Sequence, residues 1–391
     1  MPRHPLRGAA ALVGLGITPQ GRVFDRSALG FAVDAVRLAL DDAGLRRTDL
    51  DGLLVNPGIA WGGDTTMASF ALQQAMGLRD LRLSATMNLG GATACAMIQH
   101  AAQAIAAGLA TTVACVFADT PLKPPAAPGE RTSSGQAFAF TRGFEAAYGF
   151  FGVNAMYALV ARRHMHRYGT TPDQLGAVAV AQRRWANLNP LAQMREQPLT
   201  LDDYRRGRWI VEPFRLYDCC LVSNGGLAVI VTGAERARDL RKPPVYIRGM
   251  GQGHPGGDPA ETLASGAPLA KETAFRMAGI SLADVDVVEL YDCYTFTVIV
   301  TLEDYGFCAK GEGGPFAAAR HTGPGGLALN TGGGQLSSYY MWGMTPVSEA
   351  VIQLRGEGGA RQVPRHEVAL VSGNGGLLST HSTLVLAREP A

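Results

Sequence analysis

The stretch whose reading decides the fold runs from Ser84 to Gly108, SATMNLGGATACAMIQHAAQAIAAG. It opens as the end of a strand, turns tightly at Gly90-Gly91, and continues as a helix of small and apolar residues. Ala94, Met97, Ile98, Ala101 and Ala104-Ile105 give helical spacing, while Ala92, Ala96, Ala102 and Ala106 leave no polar face. A helix apolar all round is a buried helix. The glycine turn lets backbone N–H groups at its N-terminus point at whatever sits there, an end that favours developing negative charge. A buried helix aimed at a cleft in this way marks the middle of an active site.

Outward from this stretch the chain repeats itself. Residues 11–15 read as a strand, 28–42 as a helix and 52–56 as a second strand, and the sequence after Val245 does the same. Residues 43–55, AGLRRTDLDGLLV, align without a gap on residues 278–290, AGISLADVDVVEL, with Asp49 and Asp51 matching Asp284 and Asp286. Downstream, Asn88-Leu89-Gly90-Gly91 answers Asn330-Thr331-Gly332-Gly333, each followed by an apolar helical stretch and a strand, 111–117 and 367–371. Two matches in one order predict a duplicated α/β unit with its halves packed together. The expected halves are residues 1–118 with 216–244, and residues 245–391. Between them lies an insertion, 119–215, opening with the prolines 121, 124, 125 and 128. It continues through one helix ending in ARRHMHRYGTT and another over 172–187. Excursions this long from a rigid core line binding sites.

Composition narrows the function. The 391 residues carry a net charge of +2 and only 17% charged side chains, which sets no strong field for nucleic acid or a membrane surface. Six cysteines lack CxxC or Cys/His spacing and read as reduced thiols of a cytoplasmic protein, neither disulfides nor metal ligands. Glycines interrupt the apolar run 9–17, so it reads as a first strand instead of a signal peptide. No unbroken apolar run approaches the ~18 residues of a membrane span.

Several of these stretches together resemble the thiolase superfamily, in its SCP-x / lipid-transfer-protein branch. The resemblance covers nearly the whole chain. It rests on the Asn88 turn with its helix, on YALVARRHMHRYGTTPDQLGAVAV (157–180) and on NPLAQMREQPLTLDD. It also rests on EPFRLYDCCLVSNGGLAVIV, VDVVELYDCYTFTV and LALNTGGG. It implies an α/β thiolase fold of two βαβαβαββ halves in a five-layered αβαβα core, an inserted loop domain and a homodimer.

The departures say more than the matches. The nucleophilic cysteine of a thiolase aligns with Gly91, and Cys95 lies one helical turn further on, where burial would keep its thiol unreactive. The second thiolase motif is Tyr291-Asp292-Cys293-Tyr294. Counting from Asn330 places Tyr340 where the base histidine stands, and the Gly-His-Pro at 253–255 comes too early, leaving His254 a loop residue. Tyrosines thus occupy places of the lost thiol and imidazole machinery. The glycine turns remain, with Gly91, Gly333, Gly375 and Asn330 expected to frame a thioester oxyanion.

Such a site suits retro-aldol cleavage, in which a base takes a β-hydroxyl proton, the Cα–Cβ bond breaks, and an acid protonates the thioester enolate. The expectation is Tyr294 and Tyr340 as base and acid in either order, oriented by Tyr291 and Asp292. The pattern is similar to the steroid side-chain-cleaving aldolases of the branch. Those cleave a 17-hydroxy steroid C20-carboxyl-CoA to a 17-ketosteroid and propionyl-CoA. The resemblance further implies a small OB-fold, zinc-ribbon partner in an α2β2 complex, any zinc lying in that partner, and no cofactor beyond the coenzyme A thioester substrate. The apolar run 144–160 fits a greasy site, a partner surface or core. Two other readings stand beside this one. One is a thiolase using Cys95 or Cys293 with His321 or His381, and the other is a non-catalytic acyl-CoA or sterol-binding subunit.

Overall fold

Eleven strands organise the described residues, which are 4–124, 152–256, 261, 263–320 and 322–390 of a computed structural model. They are β1 (Ala10–Ile17), β2 (Gly52–Pro57), β3 (Leu83–Thr86), β4 (Thr112–Asp119), β5 (Trp209–Val211), β6 (Phe214–Arg215), β7 (Gly225–Gly233), β8 (Val245–Gly253), β9 (Val287–Leu290), β10 (Val368–Gly375) and β11 (Thr380–Ala387). Nine of them make one sheet in the order β3-β2-β4-β7-β1-β8-β11-β10-β9. Read outward from the middle, that order repeats: β1, β7, β4, β2 on one side and β8, β11, β10, β9 on the other. A parallel bridge between Val288 and Leu329 stands where β3 stands in the first half. The halves meet at Ala11–Tyr246 and Leu12–Val245.

Equivalent residues do equivalent work. Gly44 and Gly279 end the helices Ala28–Ala43 and Ala267–Ala278 in the left-handed region, at φ 74° and 64°. Asp49 and Asp284 each accept a backbone N–H three residues back, at 2.7 and 2.8 Å. Asp51 holds the Thr111 N–H ahead of β4, and Asp286 holds the Glu367 N–H ahead of β10, both at 2.9 Å.

Three apolar layers alternate with the two half-sheets. Phe31, Ala35 and Leu72 cover the outer face of the first half. Met97 and Ile98 of the helix Thr93–Ala106, with Val347 and Val351 of the helix Met344–Leu354, fill the middle against strands of both halves. Phe275, Val298 and Leu302 cover the second half, joined by Tyr157, Leu175 and Phe214 of the insertion. Each buried Val, Leu, Ile, Met or Phe among them contributes roughly 1.5–3 kcal/mol, so the layering is driven by the apolar helix faces. The helix Thr93–Ala106 departs from its expected all-round burial. His100 and Gln103 reach solvent, and only its first two turns are enclosed. Inside, Gln99 satisfies its amide on the carbonyls of Gly251 and Thr383.

In the insertion, the helix Gly152–Tyr168 is followed by Pro172–Ala186, which starts at a Thr171 cap and ends at Asn187. The first is tied to the core by buried His164, whose Nε2 lies 3.1 Å from Glu303 Oε2. Pro125, Pro128 and residues 144–151 of the apolar run lie outside the described residues. Within the rest of that run Tyr157, Ala158 and Val160 are core, while Leu159 is exposed. Among the described residues no helix is long and apolar enough to cross a membrane.

Candidate active site

Three glycine-rich or aromatic segments converge above the N-terminus of the helix Thr93–Ala106. The first is the turn at Gly90-Gly91. Asn88 Oδ1 accepts the Gly90 N–H at 3.0 Å, Gly90 takes φ 58°, and Thr93 Oγ1 accepts the Leu89 N–H at 2.7 Å. The second is Tyr291-Asp292-Cys293-Tyr294, between β9 and the helix Thr295–Tyr305. The third is the loop 339–343, reached through the short wide turn of helix Gly334–Ser338.

The hydroxyls of Tyr291 and Tyr340 lie 2.9 Å apart, with their rings edge to face. Each segment is pinned by its backbone: the Tyr291 N–H donates to the Ser372 carbonyl, and the Tyr340 N–H donates to Ser223 Oγ, both at 3.0 Å. The Tyr291 ring lies directly over Gly91. A Cβ placed on Gly91 would fall 2.1 Å from Tyr291 Cε2 and 2.2 Å from Cζ. Gly375 abuts the same turn, since a Cβ there would fall 2.0 Å from the Leu89 carbonyl oxygen. Burial pushes both phenols well above their ordinary value.

Asp292 is fully enclosed. Its carboxylate accepts the Gln335 N–H at 2.9 Å and the Leu336 N–H at 3.2 Å, so it fixes the turn that delivers Tyr340. Burial raises its carboxyl to about 7 against the pull of those donors. Asn330, at φ 48°, accepts the Leu290 N–H on Oδ1 at 2.7 Å. The Gly333 N–H goes to the Asn330 carbonyl at 2.8 Å, and a Cβ on Gly333 would strike Ala186 of the inserted helix. Gly91 therefore borders the Tyr291 phenol and Gly375 backs the turn beside it, whereas Asn330 and Gly333 build the turn that leads to Tyr340.

Tyr294 goes elsewhere. Its hydroxyl donates to Asn154 Oδ1 at 2.5 Å, and its ring stacks on Phe214 with centroids 4.9 Å apart and packs tilted against Tyr157 at 4.7 Å. It fastens the insertion to the core. The hydroxyl that meets Tyr340 belongs to Tyr291, the residue first read as an orienting group.

Sulfur and imidazole are arranged for structure. Burial raises the Cys95 and Cys293 thiols to about 12. His254 is exposed and bonds Gln252 and Thr380. His381 is enclosed between Ser372 and Tyr305. His321 lies outside the described residues. Three contributors carried no readable signal in the sequence: Asn154, Ser223, and Gln193, whose Nε2 donates to Ser223 Oγ at 2.7 Å. Ser223 and Gln193 both stand in stretches that carried the resemblance, yet neither residue type there announces chemistry.

A duplicated α/β core, a glycine turn feeding a largely buried central helix, and an insertion packed on the second half's turn at Gly332-Gly333 define a thiolase-fold chain. Residues 257–388 match the family described as thiolase C-terminal domain-like. The chain is 38% identical over 368 residues to the steroid side-chain-cleaving aldolase of Thermomonospora curvata, covering 90% of this chain and 91% of that one. It is 38% identical over 366 residues to the 17-hydroxy-3-oxo-4-pregnene-20-carboxyl-CoA lyase of Mycobacterium tuberculosis, covering 90% and 92%. Among solved structures it is similar to the Ltp2-ChsH2(DUF35) aldolase, with a TM-score of 0.84 at 35% identity over 98% of this chain and 99% of that one. The chain belongs to the steroid side-chain-cleaving aldolases of the thiolase superfamily.

Proposed function

We propose that the chain is a carbon–carbon lyase that cleaves a β-hydroxyacyl-CoA by retro-aldol chemistry, with Tyr291 and Tyr340 as its proton-transfer pair. The substrate class is a 17-hydroxy steroid C20-carboxyl-CoA, and the products are a 17-ketosteroid and propionyl-CoA. The observation that carries this reading is the 2.9 Å contact between the hydroxyls of buried Tyr291 and half-buried Tyr340 above a glycine turn. A lone buried phenolate is costly. Paired phenols avoid one by passing protons in a chain. One phenol accepts the β-hydroxyl proton as its own proton moves across the shared hydrogen bond, and the second phenol delivers its proton to Cα. The O–H electron pair becomes the ketone, the Cα–Cβ pair becomes the enolate and then the new C–H bond, and the two phenols end as they began. Backbone N–H groups around Gly91 and Gly375 face the enolate oxygen in this scheme.

The lyase acts with a partner of the DUF35 class, as the name of the solved aldolase complex suggests. In our reading the assembly is an α2β2 heterotetramer built on a homodimer of this chain, working in the cytoplasm. This chain needs no cofactor of its own, and any zinc sits in the partner.

The test is turnover of the steroid-CoA by the co-purified complex, followed as propionyl-CoA release. Tyr291→Phe and Tyr340→Phe are each expected to lose about 10²-fold or more in kcat, the usual contribution of a positioned proton-transfer group. Near wild-type turnover in both removes the proposal.

A further inference from the structure

We infer that Gly91 is a positioning residue for the Tyr291 phenol, and that a side chain at 91 and the Tyr291–Tyr340 pair exclude one another. This deepens the lyase reading and rests on it.

The argument is steric. The two ring atoms nearest the ideal Cβ of residue 91 are Tyr291 Cε2 and Cζ, at 2.1 and 2.2 Å. Cζ is the carbon that bears the hydroxyl. Contacts under about 3 Å are not tolerated, and the Asn374 carbonyl oxygen closes the other side of the same Cβ at 2.3 Å, so any residue but glycine is driven against the ring, the softer of the two neighbours. The ring has little room to retreat in concert with its backbone. Tyr291 is buried, and its N–H is tied to Ser372. The turn cannot withdraw easily either. A Cβ on Gly343 would fall 2.3 Å from the Gly91 carbonyl oxygen, and one on Gly373 would fall 2.8 Å from it, so backbone approaches Gly91 from two further sides. Displacing the hydroxyl by about 1 Å breaks a 2.9 Å hydrogen bond and with it the proton chain.

Position 91 is also where the resemblance puts the thiol of the acyl-transferring thiolases. One volume element therefore holds either that side chain or the Tyr291 ring. The choice of reaction class is made by which of the two fills it.

The experiment is a double-mutant cycle of Gly91→Ala and Tyr291→Phe in the full chain, co-purified with its partner. Gly91→Ala is expected to lose kcat as severely as Tyr291→Phe, by about 10²-fold or more, with the KM for the acyl-CoA within about threefold. The double variant is expected to be no worse than Tyr291→Phe alone, because the methyl acts only through the hydroxyl it displaces. Near wild-type turnover in Gly91→Ala overturns the inference, and so do losses that multiply in the double variant. If Gly91→Ala does not fold, Gly91→Ala/Tyr291→Ala decides. Recovery of the fold there shows that the ring is the obstacle. Continued failure shows that the Asn374 carbonyl, 2.3 Å from the same Cβ, sets the constraint instead, and the inference falls. A full-activity Tyr291→Phe enzyme would instead overturn the lyase assignment itself, which keeps the two failures apart.

Discussion

Ser223 Oγ accepts the backbone N–H of Tyr340 at 3.0 Å, and nothing in the chemistry of either side chain announces that bond. Gln193 of the insertion holds the same oxygen at 2.7 Å, so a loop residue sets the position of a phenol through one intermediary. Ser223→Ala leaves the Tyr340 N–H unpaired, a cost of about 1–3 kcal/mol in a buried setting. Stability is expected to fall by that order, and kcat by about ten- to a hundredfold, with KM little changed. Urea melts and steady-state kinetics on the same preparation check it. Unchanged kcat would mean that the loop 339–343 is held well enough without Ser223.

Tyr294 and Tyr291 sit in one four-residue motif and are separated by experiment more sharply than by position. Tyr294→Phe removes a hydrogen bond to the exposed Asn154, worth about 0.5–1.5 kcal/mol, and leaves the ring contacts with Phe214 and Tyr157 in place. Asn154→Ala removes the same bond from the other side. Both are expected to melt slightly earlier while keeping turnover within about fivefold of wild type, in contrast to Tyr291→Phe. A Tyr294→Phe variant as inactive as Tyr291→Phe would return Tyr294 to the proton-transfer chain.

The architecture was legible because the repeat is written in residues with fixed jobs. Asp49, Asp51 and Gly44 recur as Asp284, Asp286 and Gly279 since each half must start and stop the same elements. Tyr340 was legible too, by its distance from Asn330. Which tyrosine of the motif meets it was not. Residues 291 and 294 stand on either side of the passage from β9 into a helix, and the direction of each ring depends on how the insertion packs over that passage. The insertion claims Tyr294 through Asn154, Tyr157 and Phe214, contacts from 80 to 140 residues away in the chain. Gly91 reads from the sequence as the aligned place of the nucleophile and as part of an oxyanion frame, and the Tyr291 ring packed against it is visible only in the fold.

Labelling tests whether either buried thiol takes part in the chemistry. Cys95 and Cys293, raised to about 12 by burial, hold roughly one thiolate in ten thousand at pH 8. Iodoacetamide at that pH is expected to leave both peptides unmodified by mass while turnover persists. Loss of activity in step with alkylation of Cys95 would favour an acyl-transferring enzyme over a lyase.

His381 gives the fold an acid-side weakness of predictable sign. Its Nε2 lies 2.9 Å from Ser372 Oγ and 3.0 Å from Tyr305 Oη, and burial holds the imidazole down to about 3. The unfolded chain takes up a proton on this residue below about 6.5, whereas the folded chain does not. The stability that depends on a neutral His381 is therefore complete above pH 6.5 and is lost as pH falls toward 3, at about 1.4 kcal/mol per pH unit. Between pH 7 and pH 5 that amounts to about 2 kcal/mol. Urea melts of wild type and His381→Gln across this range isolate the contribution from other titrating groups, and the variant is expected to show the shallower loss. The His381 ring resonance is expected to stay at its neutral position at pH 5. Parallel stability curves for the two proteins, or a ring that titrates near 6.5, would show that the site admits water and that Ser372 and Tyr305 do not enclose it.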